Sequence, residues 1–324
     1  MTTGVVIDCD GVLYRGSKTI PGAKAAIKKL QKAKIPHVFL TNGGGMTEAQ
    51  KAKEVSGKLG VSIREEQVIL SHTPFRELAK QYAASRVLVL GHDGCLGIAK
   101  SYGFRDVVSP QQLHQSNPVI FPRKPMFKSA APMVADIPTS PIAAAFVFHD
   151  PVDWGLDIQV LLDATFDSEL CKQAIPVYAC NADLYFNTDF AMPRLTQGAF
   201  LEAFRHLYEL TTNSPLELFM CGKPFTLTSR LAESVLAKEA KMLGIDKHDV
   251  VTSPPPLVFA IGDNPRSDVR GARNAGWTSI LVKSGVWTDN RSTNDPDDPA
   301  DFVLESIVES VDLILEEVAK KRKE

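Results

Sequence analysis

Paired cysteines are missing from this 324-residue chain. The five that exist, Cys9, Cys95, Cys171, Cys180 and Cys221, are odd in number, and no two stand in a CxxC spacing. A disulfide scaffold and a thiolate-held zinc site are thereby excluded, and the five read as free thiols of a reducing compartment. An apolar run of the roughly 20 residues needed to cross a membrane is missing too. So is an excess of one charge: 36 Lys and Arg stand against 38 Asp and Glu, for a net charge of −2. That balance gives no reason to expect a nucleic-acid or membrane-surface partner. The basic run Lys320, Lys321, Arg322 and Lys323 follows Glu316 and Glu317, and it reads as the solvated end of a helix. There is no internal repeat. There is no GxxxxGK[ST] stretch either, which disfavours a P-loop nucleotide-binding protein. The strand-like segment Gly4–Asp8 starts almost at once, leaving no room before it for a signal or transit peptide.

What is present is an ordinary globular composition, 44% hydrophobic and 23% charged, in a chain long enough for two cores. The first part alternates short apolar strands with amphipathic helices, as α/β proteins do. Val5–Asp8 and His37–Leu40 read as strands, with a helix over Pro21–Lys34 between them. Thr47 and Gln50 form a capping-box signature for a helix that stops near Gly60. Gln67–Leu70 and Arg86–Gly91 read as further strands, separated by a helix over Thr73–Ala83. Residues 109–140, rich in Pro, Ser and Gln, show no periodicity and are expected to form an extended insertion loop. Beyond it, Ala143–Phe148 and Pro176–Asn181 read as strands flanking a helix over Leu156–Phe166. A helix at Gln197–Leu210, a strand at Leu216–Cys221 and a helix at Thr226–Leu243 come next. Strands at Val258–Gly262 and Ser279–Val282 and a closing helix at Ile307–Lys321 complete the pattern. The expectation is a doubly wound parallel-sheet core built from both ends of the chain, residues 1–85 and 196–324, with a second α/β domain inserted at 86–195.

Four clusters each follow a strand, where open parallel sheets gather their ligands. Asp8-Cys9-Asp10-Gly11 places two carboxylates two positions apart before a glycine that permits a sharp turn. Two close acids repel, and a hard divalent cation is their natural partner, although loop-capping aspartates give the same pattern. Thr41-Asn42-Gly43-Gly44-Gly45 offers a hydroxyl and small residues whose N–H groups can approach an anion, or else simply enters a helix. Lys223 stands beside Gly222, either solvated or placed to neutralise phosphate. Gly262-Asp263 through Asp268 adds two more acids, of which Asp268 also suits a helix N-cap.

In this order the clusters resemble the four motifs of the haloacid dehalogenase (HAD) superfamily of phosphatases: Asp8-x-Asp10-Gly11, Thr41-Asn42, Lys223 and Gly262-Asp263-x4-Asp268. The resemblance covers nearly the whole chain. The long insertion between the second and third motifs is similar to the C2 cap of subclass IIA, which includes pyridoxal-phosphate, phosphoglycolate and nitrophenyl-phosphate phosphatases. The Asp10-Gly11-Val12-Leu13-x-Arg15-Gly16 and Asp263-Asn264-Pro265-x-Ser267-Asp268 wordings resemble the cat-eye-syndrome-critical-region branch, some of it mitochondrial. Where many of these relatives carry Ser in the second motif, this chain carries Thr41.

The resemblance implies a HAD (Rossmann-like) core with a C2-type cap and a Mg²⁺-dependent phosphatase acting on a small phosphorylated metabolite. Asp8 is then the nucleophile and Asp10 the general acid and base. Asp8, Asp10 (through its backbone carbonyl), Asp263 and Asp268 belong to the metal site, and Thr41, Asn42, Gly43 and Lys223 to the phosphoryl site. Tyr185 and Phe186, in the cap segment Asp183–Asn187, either stack on a flat leaving group or pack within the cap. His149 and Asp150 follow another cap strand and are weaker candidates for the crevice. A homodimer through the cap and a place in the cytoplasm or mitochondrion are compatible with the resemblance. A phosphotransferase shares the first half-reaction, and a HAD-fold binding protein with little catalysis is the third reading.

Overall fold

This computed structural model describes residues 3–123, 141–167, 172–186, 190, 192–245, 257–287 and 294–321. Cys171, Asn187 and Arg322–Lys323, named above, lie outside them.

The first sheet has six strands, all parallel, in the order Phe302–Leu304, Thr278–Val282, Leu257–Gly262, Thr3–Ile7, His37–Thr41 and Val68–Leu70. Its central strand, Thr3–Ile7, is buried along its whole length, as befits a parallel strand covered on both faces. Alternation along the pleat sends Val5 and Ile7 to one face and Val6 to the other. Val5 and Ile7 join the apolar stripes of helices Ala23–Lys32, Glu48–Leu59 and Ile307–Lys321. Val6 packs with Ala232 and Leu236 of helix Thr226–Met242 and with Ala272 of helix Arg270–Ala275. The chain winds outward from the central strand in one direction, then returns to its other side. The reversal of winding, where such sheets open a crevice, therefore falls at the end of Thr3–Ile7, directly before Asp8. The capping box at Thr47 is present: its Oγ1 accepts from Gln50 N at 3.2 Å and its N–H donates to Gln50 Oε1 at 2.8 Å.

The second sheet is also wholly parallel, in the order Leu218–Met220, Val177–Ala179, Ile142–Val147, Arg86–Leu90 and Asp106–Val108. Two expectations change here. A boundary at residue 195 places the strand Leu218–Met220 and the helix Gln197–Thr212 in the core, yet both belong to the inserted domain. The strand pairs with Val177–Ala179, and the helix buries Phe200, Leu201, Phe204 and Tyr208 against Leu88, Val147 and Val177. Helix Phe75–Gln81, placed in the core by the boundary at residue 85, likewise packs Phe75 and Ala79 against Phe146 and Phe148 of the second sheet. Amphipathic spacing announces that a helix has an apolar face, but not which sheet that face covers.

The segment expected to be an extended loop from residue 109 onward instead begins with a helix, Pro110–Ser116. Ser109 Oγ accepts from Gln112 N at 3.2 Å, Gln112 Oε1 accepts from Ser109 N at 3.1 Å, and Pro110 occupies the first turn. The helix is local chemistry, a capping box with proline at its start, which hydrophobic periodicity does not report in seven residues. Residues 124–140 lie outside the described part.

Candidate active site

The carboxyl ends of the two sheets face one another across a cleft of about 810 Å³. Asp8, Thr41 and Asp263 come to it from the core strands. Phe148–Asp150, Asn181, Asp183 and Lys223 come to it from the strands of the inserted domain.

Asp8, Asp263 and Asp268 are all buried, and one carboxylate oxygen of each lies within 4.8 Å of the others. Lys223 closes the group, donating from Nζ to Asp8 Oδ1 at 2.6 Å and to Asp268 Oδ1 at 2.6 Å. Burial pushes the Asp8 carboxyl up to about 7 against the pull of Lys223, and neighbouring Asp268 adds to the rise. Burial also raises Asp263 well above the carboxylate range, reinforced by repulsion from Asp8 and Asp268. Burial alone would lower Lys223, but Asp268 and Asp8 outweigh it and hold the ammonium firmly protonated. Three carboxylates and one ammonium leave two negative charges uncompensated when ionised, the complement of one divalent cation. Hard oxygen donors at this spacing fit Mg²⁺ or a similar ion.

Each acid is fixed by its own backbone surroundings. Asp268 Oδ2 accepts from the amides of Asp263 at 3.0 Å and Asn264 at 2.9 Å, so it ties the loop that carries its partner. It is not an N-cap: Asn264 fills that position, accepting from Arg266 N at 3.0 Å, and residues Pro265–Val269 form a wide π-type turn before the helix proper. Asp263 Oδ2 accepts from Val286 N at 2.6 Å. Two glycines make room for it: a methyl at Gly11 would meet Asp263 Oδ2 at 2.1 Å, and one at Gly285 at 1.8 Å. Gly11 also has φ +79°, so no other residue suits that turn.

The second-motif residues are also in place. Thr41 Oγ1 accepts from Gly43 N at 3.0 Å, and its own proton remains able to point into the cleft. Asn42 spends its side chain on structure: Oδ1 accepts from Lys223 N at 2.7 Å, and Nδ2 donates to Lys223 O at 3.1 Å and to Asp183 Oδ2 at 3.0 Å. Asp10 lines the cleft, its carboxyl outside the trio of acids, and close surroundings raise it while Lys51 and Lys58 oppose the rise.

Tyr185 and Phe186 are 57% and 45% exposed and line the cleft rather than pack within the inserted domain. They form a short hairpin with Arg194–Leu195 that carries both rings out of the core. His149 and Asp150 also line the cleft, and Asp150 is held by the start of helix Gln197–Thr212, accepting from Thr196 Oγ1 and Gln197 N, each at 2.8 Å. Sequence reasoning names Asp183 only as part of the cap segment, without the bond by which its carboxylate joins Asn42 in the crevice, and passes over Gly285 and Val286. The position of Asp183 just past a strand end was a usable signal; the crowding at Gly285 was not, since it depends on a contact between segments far apart in the chain.

Comparison with known proteins agrees with this geometry. Residues 5–105 match the family model for haloacid dehalogenase-like hydrolases, and residues 220–310 match a second, HAD-hydrolase-like model. A mitochondrial hydrolase of Saccharomyces cerevisiae is 38% identical over 308 residues, covering 87% of each chain. A cardiolipin synthase/mitochondrial hydrolase fusion protein of Schizosaccharomyces pombe is 37% identical over 93% of this chain, which spans 51% of that protein. Among solved structures, the p-nitrophenyl phosphatase of Archaeoglobus fulgidus superposes with a TM-score of 0.65 at 19% identity, over 96% of this chain and 98% of that one. The chain belongs to the haloacid dehalogenase-like hydrolases, in the subclass with an inserted α/β cap.

Proposed function

We propose that this protein is a Mg²⁺-dependent phosphatase that hydrolyses a small-molecule phosphate monoester through an aspartyl-phosphate on Asp8. The observation that carries the reading is the buried trio Asp8, Asp263 and Asp268 with Lys223 bridging two of them. Such a cluster is costly for folding alone, and it is explained by a cation and a phosphoryl group that the chain is built to receive.

The metal would be held by Asp8, Asp263 and Asp268 together with the backbone carbonyl of Asp10, and when bound it supplies the positive charge that lets an anionic nucleophile meet an anionic phosphate. Asp8 attacks phosphorus, the P–O bond to the leaving group breaks, and Asp10 gives its proton to the departing oxygen. Asp10 then takes a proton from the water that cleaves the aspartyl-phosphate. Lys223, Thr41 and the amides of Asn42 and Gly43 donate to the phosphoryl oxygens, whose charge is spread in the transition state. Tyr185 and Phe186 meet the leaving group at the mouth of the cleft. A homodimer through the cap and a cytoplasmic or mitochondrial setting complete the reading, the latter supported by the named location of the yeast relative.

Asp8→Asn keeps the shape of the residue and removes the nucleophile. Phosphate release from an aryl phosphate with saturating Mg²⁺ is expected to vanish in this variant. Turnover at the parent rate would falsify the mechanism. Release of the aryl alcohol that depends on an added alcohol acceptor, with the phosphate recovered on that acceptor, would instead favour the phosphotransferase.

A further inference from the structure

Immediately after the nucleophile loop the chain makes a tight hairpin, Tyr14–Arg15 paired antiparallel with Lys18–Thr19, turning at Gly16 with φ +56°. Arg15 and Lys18 are direct cross-strand partners, so their side chains share one face of the ribbon. Tyr14, next to Arg15, is buried. Both cations are exposed and line the catalytic cleft.

Like charges placed directly opposite each other destabilise a strand pair, and a two-residue ribbon has little stability to spare. Among the described residues, neither Arg15 nor Lys18 forms an ion pair. Lys58, the third cation at this rim, is accounted for: it pairs with Glu54 at 2.7 Å, donates to Gly16 O at 3.1 Å and sits 3.8 Å over the Tyr14 ring. It therefore braces the turn from beneath while leaving the two outer charges unanswered. Arg15 Nη2 also donates to Gly285 O at 3.3 Å, in the loop that clamps Asp263. The hairpin is thus tethered beside the acid cluster, with both cations lining the cleft.

We infer that Arg15 and Lys18 form a second anion subsite, and that the substrate is a phosphate monoester whose leaving group carries its own oxyanion. This rests on the phosphatase reading for the scissile phosphate, but the subsite is tested by binding alone. The guanidinium suits a bidentate oxyanion and the ammonium adds a point charge beside it. A second anion there relieves the Arg15–Lys18 repulsion on binding.

The probes are non-hydrolysable alkylphosphonates, compared with ω-carboxyalkylphosphonates of the same chain length, titrated calorimetrically into the full chain with Mg²⁺ at low salt. The best-fitting carboxylated member is expected to bind at least tenfold more tightly than its uncharged counterpart, with the advantage shrinking as salt is added. In the double variant Arg15→Gln, Lys18→Gln that ratio is expected to collapse towards one. A matching series of α,ω-bisphosphonates tells a second phosphate from a carboxylate, the tighter family naming the group. The inference is overturned if no carboxylated or bisphosphonate probe out-binds its uncharged counterpart, or if the double variant keeps the preference. The phosphatase reading fails on a different observation, absence of phosphate release from a neutral aryl ester, so the two failures are distinguishable.

Discussion

Replacing Lys223 with methionine keeps an unbranched side chain, one atom shorter, and removes one charge from the centre of the site. In the parent, Nζ lies 2.6 Å from Asp8 Oδ1 and 2.6 Å from Asp268 Oδ1, with all three residues buried. Removing one partner of a buried ion pair costs about 3–5 kcal/mol, because the remaining charge is left without compensation. Each kcal/mol moves a melting midpoint by about 2–4 °C in domains of 150–250 residues. The variant in EDTA near pH 7 should therefore melt on the order of 10 °C below the parent. Asp8 already sits near pH 7 with Lys223 pulling it down. Without that pull its value climbs further, so the part of the loss that comes from Asp8 should shrink near pH 5, where Asp8 is protonated in both proteins. Activity should fall further than stability suggests. A transition-state donor is lost, at a cost of roughly 10²–10³ in kcat, and the nucleophile is more often protonated at neutral pH. Differential scanning fluorimetry in EDTA at the two pH values, with phosphate release measured in Mg²⁺ across pH, reads both effects. Equal melting of the two proteins at neutral pH, with turnover within a few-fold, would show that the lysine does not bear on the carboxylates as the geometry requires.

Three further outcomes are expected. Asp8 is raised to about 7 from an ordinary 3.8, so between about pH 4 and 7 this carboxyl holds its proton more in the metal-free folded protein than in the unfolded chain, and its contribution to stability falls as pH rises through that window. Mg²⁺ offsets a cost that exists only when the acids are ionised, so the rise in melting midpoint on adding it should be larger near pH 7.5 than near pH 5; an equal rise at both would contradict the assignment of the trio as ligands. Gly285→Ala puts a methyl 1.8 Å from Asp263 Oδ2; the displaced carboxylate should raise the Mg²⁺ concentration for half-maximal activity and cost about 10²-fold in kcat/KM, as read by Mg²⁺ titration of phosphate release. Ser109→Ala removes the cap of a helix remote from the acids and should lower stability by about 1 kcal/mol in urea denaturation, with kcat unaltered.

Most of the core was legible because its signals are local. Val5, Val6 and Ile7 precede Asp8 in one unbroken apolar run, and a run of that length before an acid pair marks a central parallel strand whichever residues lie beside it. The same holds for the strand ending in Gly262 before Asp263. What sequence did not disclose is partnership. Helix Gln197–Thr212 has a clear apolar face, yet nothing in its spacing says that Phe200 and Phe204 meet Val177 rather than Val38. The sequence marks Lys223 as a site candidate, but nothing in it tells that the strand leading to it, Leu218–Met220, pairs with Val177–Ala179. Tyr185 and Phe186 were ambiguous for a related reason: an aromatic pair after a strand looks alike whether it fills a core or faces a cleft, and only the hairpin with Arg194–Leu195 decides it.

The corrected boundary changes how the site is assembled. Because Leu218–Met220 belongs to the cap sheet, Lys223 reaches the core acids from the last cap strand, three residues beyond its end. Asn42, from the core, holds both the N–H and the C=O of Lys223 and grips Asp183 at the base of the cap hairpin that bears Tyr185 and Phe186. One amide side chain thus ties the lysine bonded to Asp8 to the segment that carries Tyr185 and Phe186. On the proposed reading, chemistry in the core and selection in the cap are joined at this single residue. A displacement of the cap hairpin that strains the Asn42–Asp183 bond acts on the same amide that positions Lys223, and Lys223 transmits it directly to Asp8 and Asp268. On the proposed reading, a leaving group that occupies the cleft is therefore linked to the acids through three hydrogen-bonded residues, Asp183, Asn42 and Lys223.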